Sequence, residues 1–560
     1  MVANWVRRHS GFLALAVALG FGLGACTTTE TVLVDKPTYN PPPDSAGGFL
    51  GYYTASEKLT TCGNCHVGQQ LDWVQTLHAS AWDTLVANPG HQPFCETCHS
   101  IDSRGNQAFA NVGYDSVKSD LYHDVQCESC HGPGLNHVKN PTISANRPIP
   151  SILTYPNVST NATVLTAADT ARVVNSSCGG CHQGAGPSLN HNYLKEWLSS
   201  RHGQLRASQA ANASCQPCHE GKGALAAWGV NTLYKELGTS TLLPQNCVVC
   251  HDPHGSAKDA NGQPLEGQLR FPIDAPTPEV NLCTHCHNRR SDASAGGSAP
   301  HGAQGGVLFG TAGYFPPGTT YDTTAILSTH GSSANPRLCA GCHVNAQTGK
   351  DALGNSISFT GHTFHPIPCV VQKNPTLVDT TYTNACAYDE PSRSWAACTA
   401  SGCHGTEAVA ASRLNLIRDE VRNYVRVLWI DANHNKAVDA FPTDSGYLAK
   451  VQLNAPNELL NSTNILTSAK GARFNAQLTA DSLADHPDGS HGVHNPFLYR
   501  TLLQSSIADM LATYPTFLPA PPAPVLSQIQ AAIQSGQLKV APRTERAVMA
   551  PLSLQVAGTR

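Results

Sequence analysis

The sequence predicts a mainly α-helical chain with extensive coil, closed by a helical C-terminal segment. Three observations carry this. Forty-seven glycines and 38 prolines are scattered through 560 residues, so long regular elements should be scarce over most of the chain. Aromatic residues make up only 7%, which leaves a core of side chains thin and calls for something else to fill the interior. Helical apolar spacing becomes clear only after Gly405. Charge is nearly balanced, 35 Lys+Arg against 39 Asp+Glu, with no basic run, which argues against a nucleic-acid partner because phosphate binding draws on clustered cations.

Residues 1–25 read as a signal peptide: Arg7 and Arg8 precede the apolar run GFLALAVALGFGL, and small residues lead to Cys26. The run is too short for a comfortable membrane span. Leu23-Gly24-Ala25-Cys26 resembles the lipobox of bacterial lipoproteins, in which the mature N-terminal cysteine carries acyl chains. Gly24 is less usual there than Ala or Ser, and ordinary cleavage beside an unmodified cysteine is the alternative. Lipidation of Cys26 would anchor the chain to a membrane. Residues 26–58, polar and proline-rich, are expected to form the tether.

From residue 59 a repeated unit takes over. Four C-x-x-C-H segments are Cys62-Cys65-His66, Cys95-Cys98-His99, Cys127-Cys130-His131 and Cys178-Cys181-His182. Four more are Cys215-Cys218-His219, Cys247-Cys250-His251, Cys283-Cys286-His287 and Cys339-Cys342-His343. A ninth, CTASGCH, spaces Cys398 and Cys403 by four residues before His404. Numbered one to nine in chain order, all nine place histidine after the second cysteine, although histidine is only 26 of 560 residues. A zinc ribbon needs paired cysteines but no histidine in the next position, and a disulfide needs none. Covalent c-type haem needs all three: two thiols bond the porphyrin and the adjacent imidazole ligates the iron. About nine haems c are therefore expected, the irregular ninth site being the weakest. Nine sites use eighteen cysteines and Cys26 one more, leaving Cys369 and Cys386 either for a disulfide or, less simply, for attachment of one thiol to a haem.

With these motifs, and with CESCHGPGLNH and CVVCHDPHG, the chain resembles the multihaem c-type cytochromes of bacterial extracytoplasmic electron-transfer chains, lipoprotein type. The resemblance covers residues 59–405, more faintly the C-terminus, and implies a multihaem cytochrome c fold packed around a haem array. Trp73-Val-Gln-Thr76-Leu-His78 and Trp197-Leu-Ser-Ser200-Arg-His202 both fit W-x-x-(S/T)-x-H, and Cys95 to Cys127 and Cys215 to Cys247 span the same interval. Residues 59–150 and 151–260 are thus read as two copies of a three-haem module, and 261–405 as a three-haem segment with the irregular last motif.

The distal ligands should be histidines, because Met510 and Met549 are the only methionines left beyond the signal segment. The expected set is His78, His123, His137, His202, His254, His301, His330, His362 and His494, the last resembling a C-terminal haem ligand of related cytochromes. His365 and His491 compete for the last two places, while His91, His191, His285, His434 and His486 are assigned to ordinary surface or packing roles. Residues 406–560 hold no haem motif. Leu414, Ile417, Val421, Tyr424 and Leu428 predict one helix, and Asn495-Pro496 starts a second. Asp431, Asn433, Asn435 and Asp439 alternate like a calcium loop, but Lys436 and Pro442 occupy its glycine and glutamate positions, so a polar turn is the default and calcium the alternative.

The functional expectation is an electron carrier, not an enzyme, exported to a bacterial outer membrane and facing the periplasm or cell surface. Its partners would be redox proteins or an extracellular electron acceptor. The alternatives are a reductase of nitrite, hydroxylamine or a sulfur oxyanion with one five-coordinate haem, and a cytochrome filament subunit. No C-x-x-C-K motif, which often marks the active haem of such reductases, occurs.

Overall fold

The computed structural model describes residues 39–540 apart from 107, 153–176, 183–191, 231, 325, 351–355, 373–379, 384–392 and 401–402. Cys26, the signal segment, His191 and Cys386 lie outside the described residues. The described chain is mostly helix and coil with few, short strands.

Before residue 405 the longest described helices have seven residues: α1 (Val67–Trp73), α2 (Tyr193–Ser199) and Gly221–Ala227. Apolar burial there is divided among small clusters, such as Phe49, Ile101, Val112, Tyr114 and Tyr122 around the first motifs. The strands form two-stranded antiparallel pairs, including 347–350 with 356–359 and 369–372 with 380–383. Sequence patterning gave no signal for these hairpins.

The C-terminal segment is built differently. α3 (Glu407–Leu428) has 22 residues and is capped by Thr406, whose side chain accepts from Val409 N. It buries Leu414, Val421, Tyr424 and Leu428 at the predicted spacing. α4 (Tyr447–Asn454) and α5 (Ser468–Thr479) follow, then α6 (Pro496–Thr513) with Asn495 as its cap, and α7 (Ala523–Gln534). α6 starts where Asn495-Pro496 predicts, and Leu498, Tyr499, Leu502 and Leu503 lie fully buried on it. Arg500 grips Glu420 with two nitrogens at 2.6 and 2.7 Å, tying α6 to α3. This core also takes in Ala303, Val307, Ala312 and Ile326, and strand 538–540 pairs with 319–321. The helices therefore share one core with the third motif segment instead of forming an independent module.

The tether needs correction over its second half. Phe49, Leu50 and Tyr52 are almost fully buried, and buried Glu128 accepts backbone N–H bonds from Leu50, Gly51 and Gly134. The apolar run Phe49-Leu50-Gly51-Tyr52 docks this stretch, so the described chain is already packed before residue 58.

Candidate haem-binding sites

Most motifs close a single turn, whereas in the second the His99 N–H returns to Glu96 O at 3.0 Å. The histidine N–H returns to the first cysteine's carbonyl in His66→Cys62 (2.9 Å), His182→Cys178 (3.0 Å), His219→Cys215 (3.0 Å), His251→Cys247 (2.9 Å) and His287→Cys283 (3.0 Å). The ninth motif keeps this closure, His404 N to Cys398 O at 3.1 Å, despite its longer spacing. All eighteen motif cysteines are free thiols here, standing in for the thioether sulfurs of a haem-loaded chain, whereas Cys369 is disulfide-bonded. Its expected partner, Cys386, lies outside the described residues.

The histidines meet in pairs. Ring centres are 6.4 Å apart for His66–His137, 6.3 Å for His182–His78 and 6.3 Å for His131–His254. They are 5.9 Å apart for His219–His301, 6.2 Å for His251–His362 and 6.1 Å for His287–His202. The last two pairs are His343–His494 at 6.0 Å and His404–His330 at 6.2 Å. Two imidazoles bound to one metal from opposite sides, with nitrogen–metal bonds of about 2.0 Å, put their ring centres roughly 6.3 Å apart. Ordinary aromatic contact spans roughly 4.5–7 Å, so distance alone does not discriminate. Composition does: each of these pairs joins one motif histidine to one histidine from elsewhere in the chain.

The other ring nitrogen is held from behind. Nδ1 of His131 meets Pro148 O (3.0 Å), that of His251 Gly267 O (2.6 Å), and that of His343 Phe364 O (3.0 Å). Among the non-motif partners, His330 Nδ1 meets Val493 O (2.6 Å) and His494 Nδ1 meets Asp488 Oδ1 (2.7 Å). Such contacts fix the tautomer and leave Nε2 for a metal, the usual arrangement around ligating histidine. Burial pushes His78, His343 and His362 down to about 4 and His202 to about 3, which favours the neutral, ligating imidazole.

Long-range contacts deliver the partners. Glu196 on α2, fully buried, accepts from Thr360 N (2.6 Å), Thr360 Oγ1 (2.8 Å) and His362 N (2.8 Å), which places His362 before His251. Asp488 also accepts from Tyr499 OH at 2.7 Å, so the start of α6 positions His494. Sequence reading missed both carboxylates, since neither adjoins a motif.

His123 is placed differently from expectation. Its ring lies flat on Trp82, centres 3.7 Å apart and planes 6° from parallel, so it packs against an indole face rather than opposite a motif histidine. His99 Nδ1 contacts Ala81 O at 2.8 Å. Of the histidines assigned to packing roles, His285 stacks on Phe271, and His486 sits edge-on to His301 at 4.3 Å. Of the competitors, His365 is largely buried near His343, and His491 faces Asp481 at 3.4 Å. In the loop read as a polar turn with calcium as the alternative, Asp431 accepts from Asn435 N and Lys436 N, and Asp439 accepts from the Asn433 and Asn435 amides. That is a hydrogen-bonded polar turn, and among the described residues no group of three or more His, Cys, Asp or Glu is arranged to hold a metal.

The surroundings fit haem. Val67, Leu71, Leu77 and Phe94, beside the first two motifs, are between 55% and 80% exposed, apolar surface of the kind a porphyrin face covers.

The motif turns and the histidines facing them have the chemistry that c-type haem attachment requires. Residues 61–132 match the family described as cytochrome c554 and c-prime. Cytochrome c-554 of Nitrosomonas europaea is 29% identical over 108 residues, covering 16% of this chain and 44% of that protein. These findings support a c-type cytochrome family for the chain, through its first motif region. The match spans under half the length of that relative. No solved structure matches.

Proposed function

We propose that this protein is an electron carrier with about nine covalently attached haems c, mostly ligated by histidine on both sides. The observation that carries this is the set of eight pairs, each opposing one motif imidazole to one non-motif imidazole near the spacing of a shared metal. Bound haem supplies an iron that alternates between ferric and ferrous states. The chain's residues do the rest. The motif cysteines would hold each macrocycle, the histidine pairs would ligate its iron, and the carbonyls and Asp488 behind the rings hold the imidazoles in orientation. At those eight sites a substrate would find no free place at iron, which favours the carrier over a reductase.

Residues 59–150 and 151–260 act as two copies of a three-haem unit. Parallel contacts support this: Trp73 Nε1 donates to Val125 O (3.0 Å) and Trp197 Nε1 to Gln245 O (2.8 Å), each carbonyl two residues before a motif. Thr76 Oγ1 and Ser200 Oγ each return to the tryptophan carbonyl, at 2.7 and 2.6 Å. Export, a lipid anchor at Cys26, an outer-membrane address, and redox-protein or extracellular acceptors complete the proposal. Among the described residues no helix is long and apolar enough to cross a membrane. The test is a haem-to-protein ratio by pyridine haemochrome and intact mass, with paramagnetic resonance of the oxidised protein. Nine haems with low-spin signals are expected; a strong high-spin fraction or carbon monoxide uptake by several sites would defeat the bis-histidine assignment.

A further inference from the structure

We propose that the nine sites form a branched conductor: a trunk one–three–four–six–seven–eight–nine, a spur from four to site two, a spur from seven to site five, and solvent-facing ends at one and nine. It rests on the reading above, that the motif sites carry haem.

The order comes from where motif sulfurs of different sites meet, because the two sulfurs of a motif mark one edge of its macrocycle and electron transfer weakens steeply as edges separate. Cys62 of site one interacts with Cys127 of site three, and Thr60 Oγ1 reaches Cys127 Sγ at 3.7 Å. Cys130 of site three neighbours Cys178 of site four, where Ser177 Oγ donates to Cys130 O at 3.3 Å. Site four then touches site six through Cys178 and Cys247. Cys250 of site six packs in one cluster with Leu282 and Ala340, which adjoin Cys283 of site seven and Cys339 of site eight. Cys283 and Cys339 interact directly, and Cys342 of site eight neighbours Cys398 and Cys403 of site nine.

Sites two and five fall outside this line. Cys98 of site two interacts with Cys181 of site four. Cys218 of site five interacts with Cys286 of site seven, whose sulfur lies 3.9 Å from Pro217 O. The two spurs occupy the same place in the two repeats, the middle site of each leaning on the first site of the next segment. Solvent access agrees with the ends: among the eighteen motif cysteines, Cys65 of site one and Cys403 of site nine are the exposed ones.

The test injects one electron at one end and traps it elsewhere. Ser56→Cys, exposed just before site one, carries a ruthenium photoreductant. On excitation the complex is oxidised as site one is reduced, and a sacrificial donor restores it. His330→Met marks site nine, since methionine ligation raises the potential and changes the spectrum. A second trap is then placed on the trunk (His362→Met, site six) or on a spur (His301→Met, site five). A trunk trap intercepts every electron and should cut prompt arrival at site nine by at least about tenfold; a spur trap should cut it by about twofold. Equal interception by both, or undiminished arrival past the trunk trap, would overturn the order. Should His362→Met fail to load haem, His78→Met at site four makes the same trunk test. A colourless parent protein would sink the haem reading itself, whereas a fully loaded protein with the wrong interception pattern sinks only the order.

Discussion

Asp488 and His494 form a carboxylate–imidazole pair in which the carboxylate is buried and also accepts from Tyr499. Replacing the acid with Asp488→Asn removes a charge-assisted hydrogen bond of about 1.5–3 kcal/mol and lowers the basicity of the imidazole. The potential of site eight should therefore rise, seen as one transition moving upward in a spectroelectrochemical titration; an unmoved titration would reduce Asp488 to loop support. Asp102 is a different case. Burial pushes its carboxyl up to about 7, although Oδ1 accepts from Arg104 N at 2.6 Å, and Oδ2 has no partner. Because the folded value lies above the ordinary 3.8, the unfolded chain releases its proton first as pH rises. This residue's contribution to stability is whole below about pH 4 and declines until about pH 7, by up to about 4 kcal/mol. Asp102→Asn should flatten that slope, raising the melting temperature at pH 8 and changing it little at pH 4.

Among the elements, the clearest sequence-to-structure links are those with an unmistakable local cause. α3 and α6 appear where apolar spacing and the Asn495-Pro496 start place them, because each needs only its own stretch of chain to choose a buried face. The hairpins at 347–359 and 369–383 were not legible, since short strands of mixed composition give no period to read. The docking of residues 49–52 was hidden by the polar, proline-rich sequence before it, and only the backbone N–H groups meeting Glu128 explain it. The two tryptophan anchors test the duplication. Trp73→Phe and Trp197→Phe should each lose one hydrogen bond, about 1 kcal/mol, with matching shifts in chemical denaturation. A marked mismatch would argue that the two segments are not equivalent copies.

At the scale of the molecule, the C-terminal helices and the third motif segment share a core, and α6 begins just after the imidazole that faces His343. A chain ended at Gly405 should lose the second axial ligand of site eight and much of the core around Ala303, Val307 and Ile326. About one haem in nine should then turn high-spin in paramagnetic resonance, with the other low-spin signals kept where their pairs lie earlier in the chain. Sequence alone carried the haem reading, because attachment needs three residues in a contiguous motif and contiguity is what a sequence displays. It also supplied the pool of histidines, including the eight that face motif histidines across the chain, such as His78 opposite His182 and His330 opposite His404. Which imidazole faces which motif, why His123 packs on Trp82 instead, and which sulfurs adjoin were decided by tertiary structure alone. Those relations join residues far apart in the chain, held by buried groups such as Glu196 and Asp488 whose partners exist only once the backbone has closed around them.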